Sequence, residues 1–217
     1  SGEGTATSSG VVTIRSINAG KAGASGMLVF SSGSSSSGNS GTVLVGTGAA
    51  TSGRGGALSV TVGSGTSGAG GGTEIKAGRS TVHTGGAVGI ASGEGTATSS
   101  GMVTIRSLNA GKAGASGMLV FSSGSASSGN SGSLKTGSGS ATGGRGGILL
   151  LSVGSGTSGA GGSFQGFAGR STGVTGGSLS LASGEGTATT SGMVTIRSIN
   201  AGEAGASGML VFSSGSA

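Results

Sequence analysis

The sequence predicts an all-β fold, a β-solenoid of stacked 15- or 16-residue rungs with six rungs in each 91-residue repeat. Three observations predict it: a long repeat without insertions, a shorter glycine-marked period inside it, and an apolar/polar alternation after each marking glycine.

The long repeat comes first. Residues 1–35 match 92–126 at all but three positions, and 92–126 match 183–217 equally well, both at an offset of 91. Fixed-period self-similarity of this kind marks an array. The organisation expected is a first repeat at 1–91, a second at 92–182 and the start of a third at 183–217, all one continuous solenoid. Because the sequence opens and closes in mid-repeat, the expectation is a fragment of a longer chain, or a unit that stacks end to end.

The shorter period is carried by Gly10, Gly26, Gly41, Gly56, Gly71, Gly86, Gly101, Gly117, Gly132, Gly147, Gly162, Gly177, Gly192 and Gly208, spaced by 15 with one step of 16 in every six. The second and fourth residues after these glycines are apolar in 25 of 28 places, the exceptions being Thr73, Thr136 and Gly166. The first and third positions are mostly small, polar or charged. Period-two alternation with one apolar face is the pattern of a β-strand. The core ladder expected from it includes Val12, Ile14, Leu28, Phe30, Val103, Ile105, Leu119, Phe121, Leu149, Leu151, Val194 and Ile196. Helix is excluded because Gly and Ser dominate every window. Two inward side chains cannot offset the entropy of ordering fifteen residues, so each rung is expected to rely on the rungs above and below it.

The segments between strands, such as Gly63 to Gly71, read as tight turns and a thin second wall. Ten residues after the marking glycine stands a hydroxyl column: Thr5, Ser36, Thr51, Thr66, Thr81, Thr96, Ser127, Thr142, Thr157, Thr172 and Thr187. Stacked hydroxyls can bond along an axis and satisfy turn amides, so this column reads as a structural ladder. Ice binding would require a second parallel Thr column. Two residues on, the chain instead reads Gly38, Gly53, Gly68, His83 and Thr98, which disfavours an ice-binding solenoid.

One rung apart, Arg79 is expected to pair with Glu94, and Arg170 with Glu185, setting register more than adding stability. The 16-residue rung carries Asn18 to Lys21, echoed at Asn109 to Lys112 and Asn200 to Glu203, and its extra residue must bulge. On the strand that follows, Met27 with Val29, Met118 with Val120, and Met209 with Val211 face outward as a candidate lateral contact.

Composition removes several function classes. The chain has 56 Gly among 217 residues, a composition that suggests disorder in the absence of the strict period. With no Pro, collagen and polyproline rods are excluded. No apolar run approaches the ~20 residues needed to cross a bilayer, so no membrane insertion is expected. The net charge of +6 is spread thinly over sixteen charged side chains, without the basic face and recognition elements of a nucleic-acid binder. There is no Cys for thiolate metal sites and no Asp for calcium-binding repeats. Gly-x-Gly-x-x-Gly matches, such as Gly63, Gly65 and Gly68, lack the strand-to-helix junction of a nucleotide loop. His83 is the single His and has no constellation around it. No enzyme activity, cofactor or metal is therefore expected. N-glycosylation sequences are absent, while the dense Ser and Thr leave O-linked glycan open.

The motifs at Val62 to Gly71 and Val153 to Gly162, Ser36 to Gly41 and Ser127 to Gly132, and Gly95 to Gly101 resemble Gly/Ser/Thr-rich tandem-repeat surface proteins of diatoms and other stramenopile algae. The resemblance spans the whole chain and implies a secreted, surface- or wall-associated protein; it does not imply an activity. The function expected is structural: an extracellular filament or surface fibre growing by axial stacking of β-rungs. Its partners would be further copies, end to end and laterally. The alternative is an adhesin or virus-fibre stalk that presents a binding tip outside this segment.

Overall fold

The structure, a computed structural model, describes residues 9–21 and 23–215. Among the described residues there is neither helix nor β-strand. This overturns the predicted all-β solenoid: the described residues form no sheet and so no stack of paired rungs. A stacked rung would pair its amides with residues about fifteen positions away. The backbone bonds observed instead join glycines eight apart in sequence, with one bond spanning three.

The chain divides into two units, Ser1–Ile105 and Arg106–Ala217. Within each, the short period survives as a succession of loops closed at the neck. In the first unit the Gly71, Gly86 and Gly101 amides donate to the carbonyl oxygens of Gly63, Gly78 and Gly93 at 3.2, 2.9 and 2.9 Å. Two further necks are closed by a hydroxyl: Ser32 Oγ donates to the Gly41 carbonyl at 2.8 Å and Thr47 Oγ1 to the Gly56 carbonyl at 3.0 Å. In the second unit Gly162, Gly177 and Gly192 donate to Gly154, Gly169 and Gly184 at 3.1, 2.8 and 2.9 Å, and Ser138 Oγ donates to Gly147 at 2.9 Å. The offset of 91 relates the three amide-closed necks of each unit, and Thr47 with Gly56 to Ser138 with Gly147; at Gly132, the counterpart of Gly41, a Cβ would stand 3.3 Å from the Cβ of Ser123.

Most of the marking glycines therefore have a steric role. A Cβ on Gly41, Gly56 or Gly147 would stand 3.1 to 3.2 Å from the Cβ of Ser32, Thr47 or Ser138 across the neck. On Gly71 and Gly162 it would meet a Cγ of Val62 or Val153 at 2.5 and 2.6 Å.

At the tip of each loop the backbone bends, at 36–38, 51–53, 66–68, 81–83 and 96–98 in the first unit and at 127–129, 142–144, 157–159, 172–174 and 187–189 in the second. Two local devices hold seven of these ten bends, those at 51–53, 127–129 and 142–144 following an Ala and using neither. Where the residue before it is Ser, its hydroxyl accepts an amide: Gly38 N–H to Ser35 Oγ at 2.9 Å, His83 N–H to Ser80 Oγ at 2.9 Å, Val174 N–H to Ser171 Oγ at 3.0 Å. These are the side-chain-to-backbone turns that Ser favours. Where that residue is Gly65, the turn folds so tightly that a Cβ there would lie 2.5 Å from the Gly68 carbonyl oxygen. Gly95, Gly156 and Gly186 stand in the same place with the same backbone crowding.

The 16-residue steps absorb their extra residue inside the loop and leave the neck intact. Gly26 still faces the Cβ of Ser16, and Gly117 that of Ser107, at 3.3 and 3.4 Å. The adjustment falls on Gly23 (φ 134°) and Gly114 (φ 131°), the positive-φ residues of the described backbone. That region is close to glycine-only, so a side chain at either place is strained.

No described residue is buried, and only Ser16, Gly95, Ser171 and Gly186 among them are half-buried, the rest being exposed. The physical reason for local closure over stacking lies in the composition. Two apolar side chains in fifteen residues give a single chain little to gain from packing, while ordering glycine costs more conformational entropy than any other residue. A nine-residue loop closes at a modest entropic cost, and one hydrogen bond or one close contact holds it.

Candidate interaction surface

The repeated apolar segments between necks are the surface this sequence builds most consistently. The residues expected as a core ladder, Val12, Ile14, Leu28, Phe30, Val103, Ile105, Leu119, Phe121, Leu149, Leu151, Val194 and Ile196, are 48 to 66% exposed. They form no core. Traces of the expected alternation persist: along Ile148, Leu149, Leu150 and Leu151 exposure runs 89, 53, 78 and 66%. The second and fourth positions are thus the more sheltered ones, with half or more of each side chain still in solvent.

Met27, Met118 and Met209 are 84 to 86% exposed, and Val29, Val120 and Val211 61 to 64%. The candidate lateral contact therefore does face solvent, but so do the residues expected behind it. Thr51, Thr66, Thr81, Thr96, Thr142, Thr157, Thr172 and Thr187 each begin a bend, and all are exposed. None takes part in the side-chain hydrogen bonds of the described residues. They mark loop tips, and Thr5 lies outside the described residues.

The ion pair within 4 Å among the described residues is Lys76 Nζ to Glu74 Oε1 at 2.7 Å, with both side chains 73% exposed. Neither Arg79 with Glu94 nor Arg170 with Glu185 comes together. Exposed pairs of this kind contribute little, because screening and side-chain entropy offset most of the attraction.

Sequence reading missed the neck column, six residues after each marking glycine, which holds Ser32, Thr47, Val62, Ala77, Ser92, Ser123, Ser138, Val153, Ala168 and Ser183. The signal was present as a run of hydroxyl and small residues between apolar segment and turn, without a partner to give it meaning.

A depression of about 220 Å³ is lined by Arg197, Ser198, Ile199 and Asn200, in the open 16-residue step of the second unit. Among the described residues no three His, Cys, Asp or Glu side chains cluster where they could hold a metal, and no helix is long and apolar enough to cross a membrane. No protein-family model, curated protein or solved structure matches this chain.

Proposed function

We propose that this is a structural protein, an assembling component of an extracellular filament or surface fibre, and not an enzyme. The observation that carries this reading is that apolar residues recur at fixed places along the chain while none of those described is buried. Its accessible surface is 21109 Å² at 19.5 kDa. A folded monomer of that mass exposes roughly 8,500 Å² and its extended chain about 28,000 Å². An ordinary specific protein–protein contact needs only about 1,600 Å². The surplus, polar and apolar together, equals several such contacts, and exposed apolar segments recurring along a chain suit a protein that associates.

In this reading the neck-closed loops keep the polar, glycine-rich backbone solvated, while the segments between them offer Val, Leu, Ile, Phe and Met to neighbouring chains. The 91-residue repeat presents the same surface again and again, which suits a fibre better than a single binding event. Placement outside the cell follows from the likeness of the Gly/Ser/Thr motifs to algal surface proteins.

Sedimentation velocity across a wide range of concentration, with electron microscopy of the concentrated sample, tests the proposal. Growth of mass with concentration, accompanied by elongated particles, is the expected result. A chain that stays monomeric at every concentration would remove the basis for a structural role.

A further inference from the structure

One stretch of the chain occurs three times without change: residues 23–34, 114–125 and 205–216 are identical. Its centre, Met-Leu-Val-Phe-Ser-Ser at 27–32, 118–123 and 209–214, has no charge, no Gly and no Pro. The nearest charged residue in sequence, Lys21, Lys112 or Glu203, stands six positions before the Met. Uncharged, Pro-free apolar windows of about six residues are the signature of segments that pair with copies of themselves. In all three copies the apolar residues face solvent, Met 84 to 86% exposed, Leu 48 to 49%, Val 61 to 64% and Phe 59 to 78%. None of their amides or carbonyls takes part in a backbone hydrogen bond among the described residues. Each copy thus offers main-chain donors and acceptors together with side chains that are apolar on both faces of an extended segment. A strand apolar on both faces is characteristically one with both faces covered.

The other apolar segments are less suited to such pairing. Val-Thr-Ile-Arg at 12–15, 103–106 and 194–197 ends in Arg, and Thr73 to Lys76 carries two charges. Pairing these with their own copies sets like charges side by side, which is destabilising. Residues 57–62 and 148–153 are uncharged but unlike each other, Ala-Leu-Ser-Val-Thr-Val against Ile-Leu-Leu-Leu-Ser-Val. Resting on the assembly reading above, we infer that chains join at their Met-Leu-Val-Phe segments, each pairing its main chain as a β-strand with the same segment of a second copy. The pairing is between chains, and the segments of a lone chain stay unpaired. A paired strand keeps a free edge for the next copy, so growth does not stop at a dimer.

The test uses the full 217-residue chain and two triple variants matched in register. Val29→Pro with Val120→Pro and Val211→Pro removes one ladder donor from each segment while leaving it apolar and uncharged. In sedimentation velocity it is expected to raise the concentration needed for association about tenfold or more. Thr13→Pro with Thr104→Pro and Thr195→Pro, the same position in the segments that end in Arg, is expected to change it by less than about twofold. With no described residue buried, neither triple has a core to disrupt. Hydrogen–deuterium exchange of the assembled sample supplies the second readout: amides 28–30, 119–121 and 210–212 are expected to exchange at least tenfold more slowly, on the order of a paired strand, than in the dilute chain. Association that is indifferent to the first triple, equally sensitive to both, or accompanied by exchange of these amides at the dilute rate overturns the pairing while leaving the structural reading intact. Absence of any association in the unaltered chain overturns both.

Discussion

Calorimetry of the dilute chain is expected to show no cooperative heat-absorption peak. A globular protein of 217 residues exposes enough apolar surface on unfolding to raise its heat capacity by about 3 kcal/mol/K. Here no described residue is buried, so heating transfers almost nothing from an apolar interior into water. The hydrogen bonds at the loop necks are single, exposed and independent, and they should melt gradually and separately. At concentrations where chains associate, a transition should emerge whose midpoint rises with concentration, because the bound state is then the one that excludes water. A sharp, concentration-independent peak would mean that each chain possesses a core of its own.

The second large effect is expected at the loop tips. Gly65→Ala puts a methyl group 2.5 Å from the Gly68 carbonyl oxygen and 2.8 Å from that of Ala69. Both atoms are backbone, so neither can swing aside as a side chain would. Replacing Gly by Ala elsewhere stabilises a fold by about 0.4–1 kcal/mol, through the unfolded state, when the site accepts the methyl. At Gly65 the clash decides the sign: the loop must open, and the Gly71 amide loses its bond to Gly63. Amide exchange of Gly71 should then rise to the rate of an unstructured glycine. Gly68→Ala, whose Cβ would meet nothing within 4 Å, should leave it unchanged. The same contrast holds between Gly156 and Gly159 in the second unit.

The period of the chain was legible in its sequence; what the period builds was not. Glycine spacing marked the necks, the hydroxyl column marked the start of the bends from Ser36 to Thr187, and the 16-residue step, read as a bulge at Asn18 to Lys21 and Asn109 to Lys112, fell two residues short of Gly23 and Gly114, where the backbone turns to positive φ. These features follow from steric and turn preferences confined to fifteen residues. Pairing between rungs is a different kind of property. The alternation at Ile148 to Leu151 states which side chains would face inward if neighbouring segments paired, but it is equally compatible with an unpaired segment that keeps its apolar face for another molecule. Ser32 and Thr47 show the same limit from the other side. They read as ordinary loop residues until the carbonyls of Gly41 and Gly56 are seen beside them.

Hydrogen–deuterium exchange of the dilute chain tests the central claim most directly, that each fifteen-residue unit is closed upon itself and leaves its apolar segment unpaired. Measurable protection is expected at the neck amides of Gly71, Gly86, Gly101, Gly162, Gly177 and Gly192 and, more weakly, at the bend amides of Gly38, His83 and Val174, with residues 148–151 and their counterparts exchanging freely. Protection of those apolar segments, recurring every fifteen residues and as strong as that of a sheet, would show that the segments pair within one chain and would contradict the account.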